Sequence, residues 1–314
     1  MQGIAGRNVT VSIIYDVPDW AYHRRAMALC KYVQPPYIVR AYSWEDVKNG
    51  TADLATDVIF LLDWTLVNHI RARQAKQSAL VASFNCTAQR REGMLRTLAA
   101  KVDAVIVNNL TGWLTRGNAD NCTFIPNGVD TEVFRPTVPW SERPNRALWC
   151  SSASKHLAKG WRTLHFASER LAAHGFELEC RIVSPSPRLN AQQMVEWYNS
   201  GRYILSVAPP DYEATPNTIS EGVACGCVAV STRGGNIMQW GDDCNNCVFI
   251  EPDSVKDLLG GVRRAKRAGR RMSVAGREQI ETRYGYHNTA PAFFEVFEQA
   301  IARRKKWRNH PMGR

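Results

Sequence analysis

Two glutamates, Glu213 and Glu221, stand eight residues apart in a segment that reads YEATPNTISEGVACGCVAVSTRGG from Tyr212 to Gly235. Pro216 and Asn217 read as a helix start, because proline presets a helical φ and asparagine caps free backbone N–H groups. That start, continued by Thr218 and Ile219, offers unpaired N–H groups and the positive end of a dipole, which suit a phosphate. Glu213 lies before the helix and Glu221 inside it, so they are no close acid–base pair on one helix face, but they can flank a bound anion. A nucleotide sugar asks for that arrangement: diphosphate at the helix, one carboxylate for sugar hydroxyls and one for ribose hydroxyls. An ordinary capped helix with two solvated glutamates has the same spacing.

The flanking elements must set that helix at a strand end. Cys225-Gly226-Cys227 closes the helix, Val228 to Ser231 reads as a buried strand, and Tyr203 to Val207 reads as another just upstream. Strand, loop, helix, strand opens the helix at the carboxyl end of a strand, where open α/β sheets bind ligands. The same alternation runs along the chain. Val9 to Tyr15 is the first strand, and it feeds a loop with Asp16, Trp20 and Tyr22. The two aromatics can stack on a sugar or a base; equally, Trp20 can simply cover the first helix. Asp63 follows a strand over Val58 to Leu62, and Asn85 follows one over Leu80 to Phe84, so Asp16, Asp63 and Asn85 occupy strand ends that should converge. Gly234-Gly235 makes a tight turn at a further strand end, which fits either close backbone approach to a ligand or a plain turn.

The residues around Glu213 and Glu221 resemble the E-x7-E segment of family-4 retaining glycosyltransferases. Ile125-Pro126-Asn127-Gly128-Val129-Asp130, with Phe134 and Pro136, resembles the interdomain segment of the same family. The likeness covers about Val102 to Ile250 and is weak before it. It implies the α/β GT-B architecture, two doubly wound Rossmann-like domains facing across a cleft. An acceptor domain would span 1–136, a proline-rich linker 137–144 and a nucleotide-sugar domain 145–288, with a closing helix over 289–314 returning to the first domain. The implied activity is retaining, hexosyl or pentosyl transfer from a nucleoside diphosphate sugar to an acceptor hydroxyl, with no metal and no cofactor.

The resemblance also assigns residues. Lys159-Gly160 matches the Lys-Gly that holds the donor diphosphate; no Arg stands where relatives have one, and Lys155 is the nearest cation, without the bidentate fork. Asn85 falls where relatives often place a His against the donor sugar. The catalytic set is then Glu213, Lys159 and Asn85. Donor contacts fall to Lys155, Lys159, Glu213, Pro216, Asn217, Thr218, Ile219, Glu221, Gly234 and Gly235. Acceptor contacts fall to Asp16, Trp20, Tyr22 and Asp63. Two departures stand out: no Gly-Gly pair follows the first strand, and Ser184-Pro185-Ser186-Pro187-Arg188 replaces a glycine-rich turn near the base.

Composition bounds the partners. At 314 residues and 45% hydrophobic content, the chain can bury two cores of about 150 residues each. No apolar run approaches the ~20 residues of a membrane span, and the start MQGIAGRNVTVSIIYD lacks the pattern of a secretory leader, so a cytoplasmic location is expected. Nine scattered cysteines fit reduced, packed thiols; Cys225-x-Cys227 with Cys244-x-x-Cys247 is a minor zinc reading. The charge, 40 − 29 = +11, concentrates in Arg263, Arg264, Lys266, Arg267, Arg270 and Arg271 and again in the tail from Arg303 to Arg314. Such clusters suit an anionic acceptor (a glycan, a lipid-linked sugar or a modified base in DNA) or peripheral membrane contact, and each alone also fits a solvated helix face or a frayed tail. Two rival readings carry different chemistry: a same-fold nucleotide-sugar epimerase or hydrolase, and a non-catalytic basic nucleic-acid-binding protein.

Overall fold

The structure, a computed structural model, describes residues 7–71, 73–74, 76–85, 93–109, 113–114, 119–183, 189–210, 212 and 217–309. The chain divides into two compact units, Met1–Gly128 with Tyr286–Arg314, and Val129–Gly285. Each is built on one parallel sheet.

In the first unit the strands are β1 (Val9–Tyr15), β2 (Tyr37–Ser43), β3 (Val58–Leu61), β4 (Ala79–Phe84), β5 (Ala104–Val107) and β6 (Cys122–Phe124). Their order is β2-β1-β3-β4-β5-β6, so the winding direction reverses between β1 and β3. Every residue of β3, β4 and β5 is buried, as expected when helices cover both faces of a parallel sheet. One cover is the closing helix Tyr286–Asn309, whose Phe293 and Phe297 rings lie 6.0 and 5.3 Å from Phe60. The basic residues near its end fasten it down: Arg303 donates to the carbonyls of Asp103 and Asp120, and Arg304 to that of Lys76. Gly128 lets this helix approach, since a Cβ there would stand 2.7 Å from Thr289 Oγ1 and 2.8 Å from the Tyr286 ring.

In the second unit β7 (Arg146–Ser152), β8 (Glu177–Val183), β9 (Tyr203–Ser206), β10 (Val228–Thr232) and β11 (Cys247–Ile250) lie in the order β11-β10-β9-β7-β8. Here the winding reverses between β7 and β9. The helix Val255–Gln279 runs past Gly260-Gly261 and kinks only at Gly269, where φ is 53° and ψ −133°. Sequence propensity ends this helix at Gly260, because glycine is a poor helix former. Packing overrides propensity: a Cβ on Gly261 would come within 2.4 Å of Ile250 Cγ2, so the glycine seats the helix on the sheet.

The structure also corrects the expected linker. The divisions fall after Gly128 and after Gly285, and 137–144 belongs to the second unit. Asn199 Oδ1 accepts from the backbone N–H of Thr137 and Val138, and the Trp140–Glu142 turn carries the chain to a buried Arg143. The prolines therefore mark a strap bound to a folded surface. Much of the expected basic patch is likewise engaged locally. Arg264 donates to the Phe249 carbonyl, Arg271 to that of Cys244, Arg263 meets His174, and Lys266 sits 5.2 Å from the Phe176 ring centroid.

Phe297 is wholly buried, so Phe297→Ala in the full chain is expected to lower the unfolding free energy by about 3–5 kcal/mol. Urea denaturation followed by tryptophan fluorescence measures it.

Candidate functional site

Loops that leave β7, β9 and β10 are tied together at the carboxyl edge of the second sheet. Lys159 and Gly160 are the last residues before the helix Trp161–Ala173. Gly160 has φ +81°, and a Cβ there would sit 2.5 Å from the Val207 carbonyl oxygen. Only glycine satisfies both conditions. The contact presses the Lys159 backbone against the exit of β9, across the reversal between β7 and β9. Lys159 is half-buried and its N–H donates to the Lys155 carbonyl (3.0 Å), whereas Lys155 itself is exposed. On the other side Thr232 Oγ1 donates to the Ala208 carbonyl (2.5 Å), and a Cβ on Gly234 would stand 2.7 Å from Pro210 Cα and O. Gly235 follows with φ +62°, so Gly234-Gly235 packs one exit loop directly on another.

The helix Asn217–Ala224 continues from the β9 exit. Asn217 is the first of its described residues. Asn217 and Thr218 are half-buried, while the Ile219 side chain is wholly buried in the core and leaves only backbone toward the helix start. Glu213 and Pro216 lie outside the described residues, as does the 184–188 loop. Glu221 is 7% exposed, and its Oε2 accepts from the Tyr198 hydroxyl at 2.9 Å. The second glutamate is thus held on the core side of the helix, by a tyrosine that no local motif announced.

At the carboxyl edge of the first sheet, Asn85 and Tyr22 meet. Asn85 Nδ2 donates to the Tyr22 hydroxyl at 3.1 Å and to the Leu62 carbonyl at 3.3 Å. Burial pushes the Tyr22 phenol up to about 12; the Asn85 bond works against that, and Asp63 and Asp16 work with it. Asp16 and Asp63 serve their own loops: Asp16 Oδ1 accepts from the Val17 N–H (2.7 Å), and Asp63 Oδ1 from the N–H (2.9 Å) and hydroxyl (2.7 Å) of Thr65. Trp20, at the start of the helix Ala21–Lys31, is 40% exposed.

Beneath this edge lies a residue that sequence reasoning missed. Arg25 is 4% exposed, stacks over Phe293 (5.1 Å) and Phe60 (6.0 Å), and donates Nη1 to Ser83 Oγ, which donates onward to Asn108 Oδ1 at 2.6 Å. Among the described residues its Nε and Nη2 have no hydrogen-bond partner, and burial pushes the guanidinium pKa down. The signal was its spacing, three after Tyr22 and four before Leu29, which sets a charge on the inner face of a helix.

Among the described residues, no group of three or more His, Cys, Asp or Glu is arranged to hold a metal. Cys225, Cys227 and Cys247 are buried and Cys244 is exposed. Burial raises all three buried thiols, Cys227 and Cys247 to about 12. No described helix is long and apolar enough to cross a membrane.

Comparison with known proteins accords with this architecture. Residues 146–295 match the sequence model of the glycosyl transferase-like family. No relative is found among curated protein sequences. Among solved structures, sucrose-phosphate synthase from Thermosynechococcus elongatus superposes with a TM-score of 0.72 at 14% identity, covering 94% of this chain and 100% of the other. Anabaena HepE in complex with UDP and glucose gives 0.69 at 11%, covering 92% and 99%. The catalytic domain of starch synthase IV from Arabidopsis thaliana, bound to ADP and acarbose, gives 0.69 at 10%, covering 94% and 100%. The chain has the GT-B glycosyltransferase fold, and the glycosyl transferase-like match covers most of the second unit and the first turns of the closing helix.

The thiol environments predict selective chemistry. Alkylation of the native protein at pH 8, mapped by mass spectrometry, should label Cys244 quickly and spare Cys225, Cys227 and Cys247 until denaturant is added.

Proposed function

We propose that the protein is a retaining glycosyltransferase that moves a hexosyl or pentosyl group from a nucleoside diphosphate sugar to an acceptor hydroxyl. The observation that carries this reading is the Gly160–Val207 contact, which fastens the Lys159 loop to the β9 exit at the winding reversal of the second sheet. Ligands of open α/β sheets bind at such reversals. Support for a nucleoside diphosphate comes from the UDP and the ADP held by two structurally similar proteins.

The reading assigns each side chain a role. Lys159, with Lys155 at the rim and the N–H groups of Asn217 and Thr218, neutralises the diphosphate as the anomeric bond breaks, without a metal or cofactor. Glu213 orients the transferred sugar, and Pro216 and Ile219 contribute by fixing the helix start. Glu221 takes the ribose hydroxyls, with the Tyr198 hydroxyl fixing its carboxylate. Gly234 and Gly235 let backbone approach the donor, and Asn85 addresses the reacting sugar. Asp16, Trp20, Tyr22 and Asp63 serve the acceptor, a glycan, a lipid-linked sugar or a modified base in DNA. The acceptor attacks the face the diphosphate leaves, and a donor phosphate oxygen takes its proton, so configuration is retained. A cytoplasmic location with peripheral membrane contact suits a lipid-linked acceptor.

A panel of nucleotide sugars tested by thermal shift, followed by product analysis with and without acceptor, identifies donor and reaction. Lys159→Ala and Glu213→Gln are expected to lower kcat by about 10²–10³ with an unchanged Tm. Near-normal turnover in either variant removes that residue from the mechanism. Turnover of donor independent of any acceptor marks an epimerase or hydrolase. Steeply salt-dependent DNA binding with no nucleotide-sugar binding marks a nucleic-acid-binding protein.

A further inference from the structure

β8 forms one edge of the second sheet. It pairs with β7 on one side, and among the described residues no strand pairs with its other side. The backbone groups of the strand alternate between the two. The Glu177 N–H donates to the Asn145 carbonyl at 3.0 Å. In a parallel ladder that phase turns the backbone of Glu177, Glu179 and Arg181 toward β7, and that of Leu178, Cys180 and Ile182 outward. An outward row of N–H and C=O groups on a seven-residue strand is a template for another strand.

The side chains say which strand fits. The sequence ELECRIV is self-complementary about Cys180. When two β8 strands pair antiparallel about that centre, Cys180 stands opposite Cys180, Leu178 opposite Ile182, and Glu179 opposite Arg181. The backbone phase agrees with this register: Cys180 and the Leu178–Ile182 pairs carry the outward groups, so they take the hydrogen-bonded positions. Glu179 and Arg181 then fall at the positions between, where facing side chains approach most closely.

Both faces of the strand are prepared for that partner. On one, Glu179 Oε1 accepts from Trp197 Nε1 and from Arg181 Nε, each at 2.8 Å, and the Arg181 guanidinium lies 5.5 Å from the Trp197 ring centroid. Arg181 is thus held in place through Nε, and among the described residues its two terminal nitrogens have no partner. Those nitrogens are the donors a facing carboxylate requires. On the other face, Leu178 and Cys180 pack on the same core as Leu164 and Leu171, whereas Ile182 is 43% exposed. Leu178 of a second copy covers it. The seven-residue edge strand of the first sheet, β2, lacks this property, because the equivalent full-length register sets Arg40 against Arg40. Like charges directly opposite destabilise a strand pair.

We propose that two copies of this chain associate through β8 about a two-fold axis at Cys180, joining their second sheets edge to edge. The contact is isologous, so it closes at a dimer and leaves no further β8 edge open. Strand-edge pairing is a small interface of the transient class, so the dimer is reversible and depends on concentration.

Sedimentation velocity of the full chain from low to high micromolar concentration tests this. A monomer–dimer equilibrium is expected for the wild type. Glu179→Arg and Arg181→Glu each set like charges opposite one another twice, and each should weaken self-association at least about tenfold. Ile182→Lys, which changes an exposed side chain, should weaken it as well. An equimolar mixture of Glu179→Arg and Arg181→Glu should dimerise again, because every arginine of one then faces a glutamate of the other. Local damage to either fold is not repaired by mixing. Amide hydrogen exchange in the β8 peptide should slow as wild-type concentration rises. A wild type that stays monomeric throughout, a dimer that all three variants leave unchanged, or a mixture that stays monomeric overturns the proposal. So does β8 protection that ignores protein concentration and appears only on adding an extended Thr-Val repeat peptide, which would make the occupant a foreign strand.

Discussion

A glycine set against a carbonyl organises the second unit. Gly160 lies so close to the Val207 oxygen that no other residue fits, and its left-handed φ excludes others for a separate reason. Because β7 and β9 are neighbours where the winding reverses, this one contact joins the loop that carries Lys159 to the strand that leads into the Asn217–Ala224 helix. A cationic side chain and a helix N-terminus are thereby drawn to one sheet edge. The Gly234–Pro210 contact repeats the device one strand over. Backbone-to-backbone packing of this kind holds one exit loop directly against the next.

The charges of the molecule divide by how they are satisfied. Surface arginines on the long helix and at the chain's end are mostly tied to carbonyls or rings nearby, which moderates the inference from a net charge of +11 to an extended anionic partner. The two buried guanidiniums, Arg25 and Arg143, have spare donors and neutral acceptors. Desolvated charge without an acid partner is unfavourable in a fold, and here it is offset in part by the Phe60 and Phe293 rings over Arg25 and by the hydrogen bonds of Arg143.

The chain leaves its first unit at Gly128 and returns to it at Tyr286, and both crossings are served by packing. Gly128 makes room for Tyr286 and Thr289, so the closing helix begins where the first passage ends. Its phenylalanines then complete the core over β3, as Phe60 between Phe293 and Phe297 illustrates. A segment more than 150 residues downstream of β6 is thus as much part of the first core as β1 is.

The sequence by itself determined the α/β class, nearly every strand, and the strand–loop–helix–strand unit around Asn217, because buried parallel strands and glycine- or proline-marked turns are local patterns. Gly234-Gly235 stood out as a glycine pair at a strand end, whereas Lys159-Gly160 was singled out by the family resemblance. What it could not determine were facts about distance. Gly260-Gly261 read as a helix end because the sheet that seats Gly261 lies in another part of the chain. The proline-rich stretch 137–144 read as a linker because Asn199, whose Oδ1 accepts from the Thr137 and Val138 N–H groups, is some sixty residues away. Tyr198 on Glu221, Arg25 under Asn85 and Arg143 beside Gly226 emerged only in three dimensions, for one physical reason: the desolvation that makes a polar group consequential depends on which distant segments cover it.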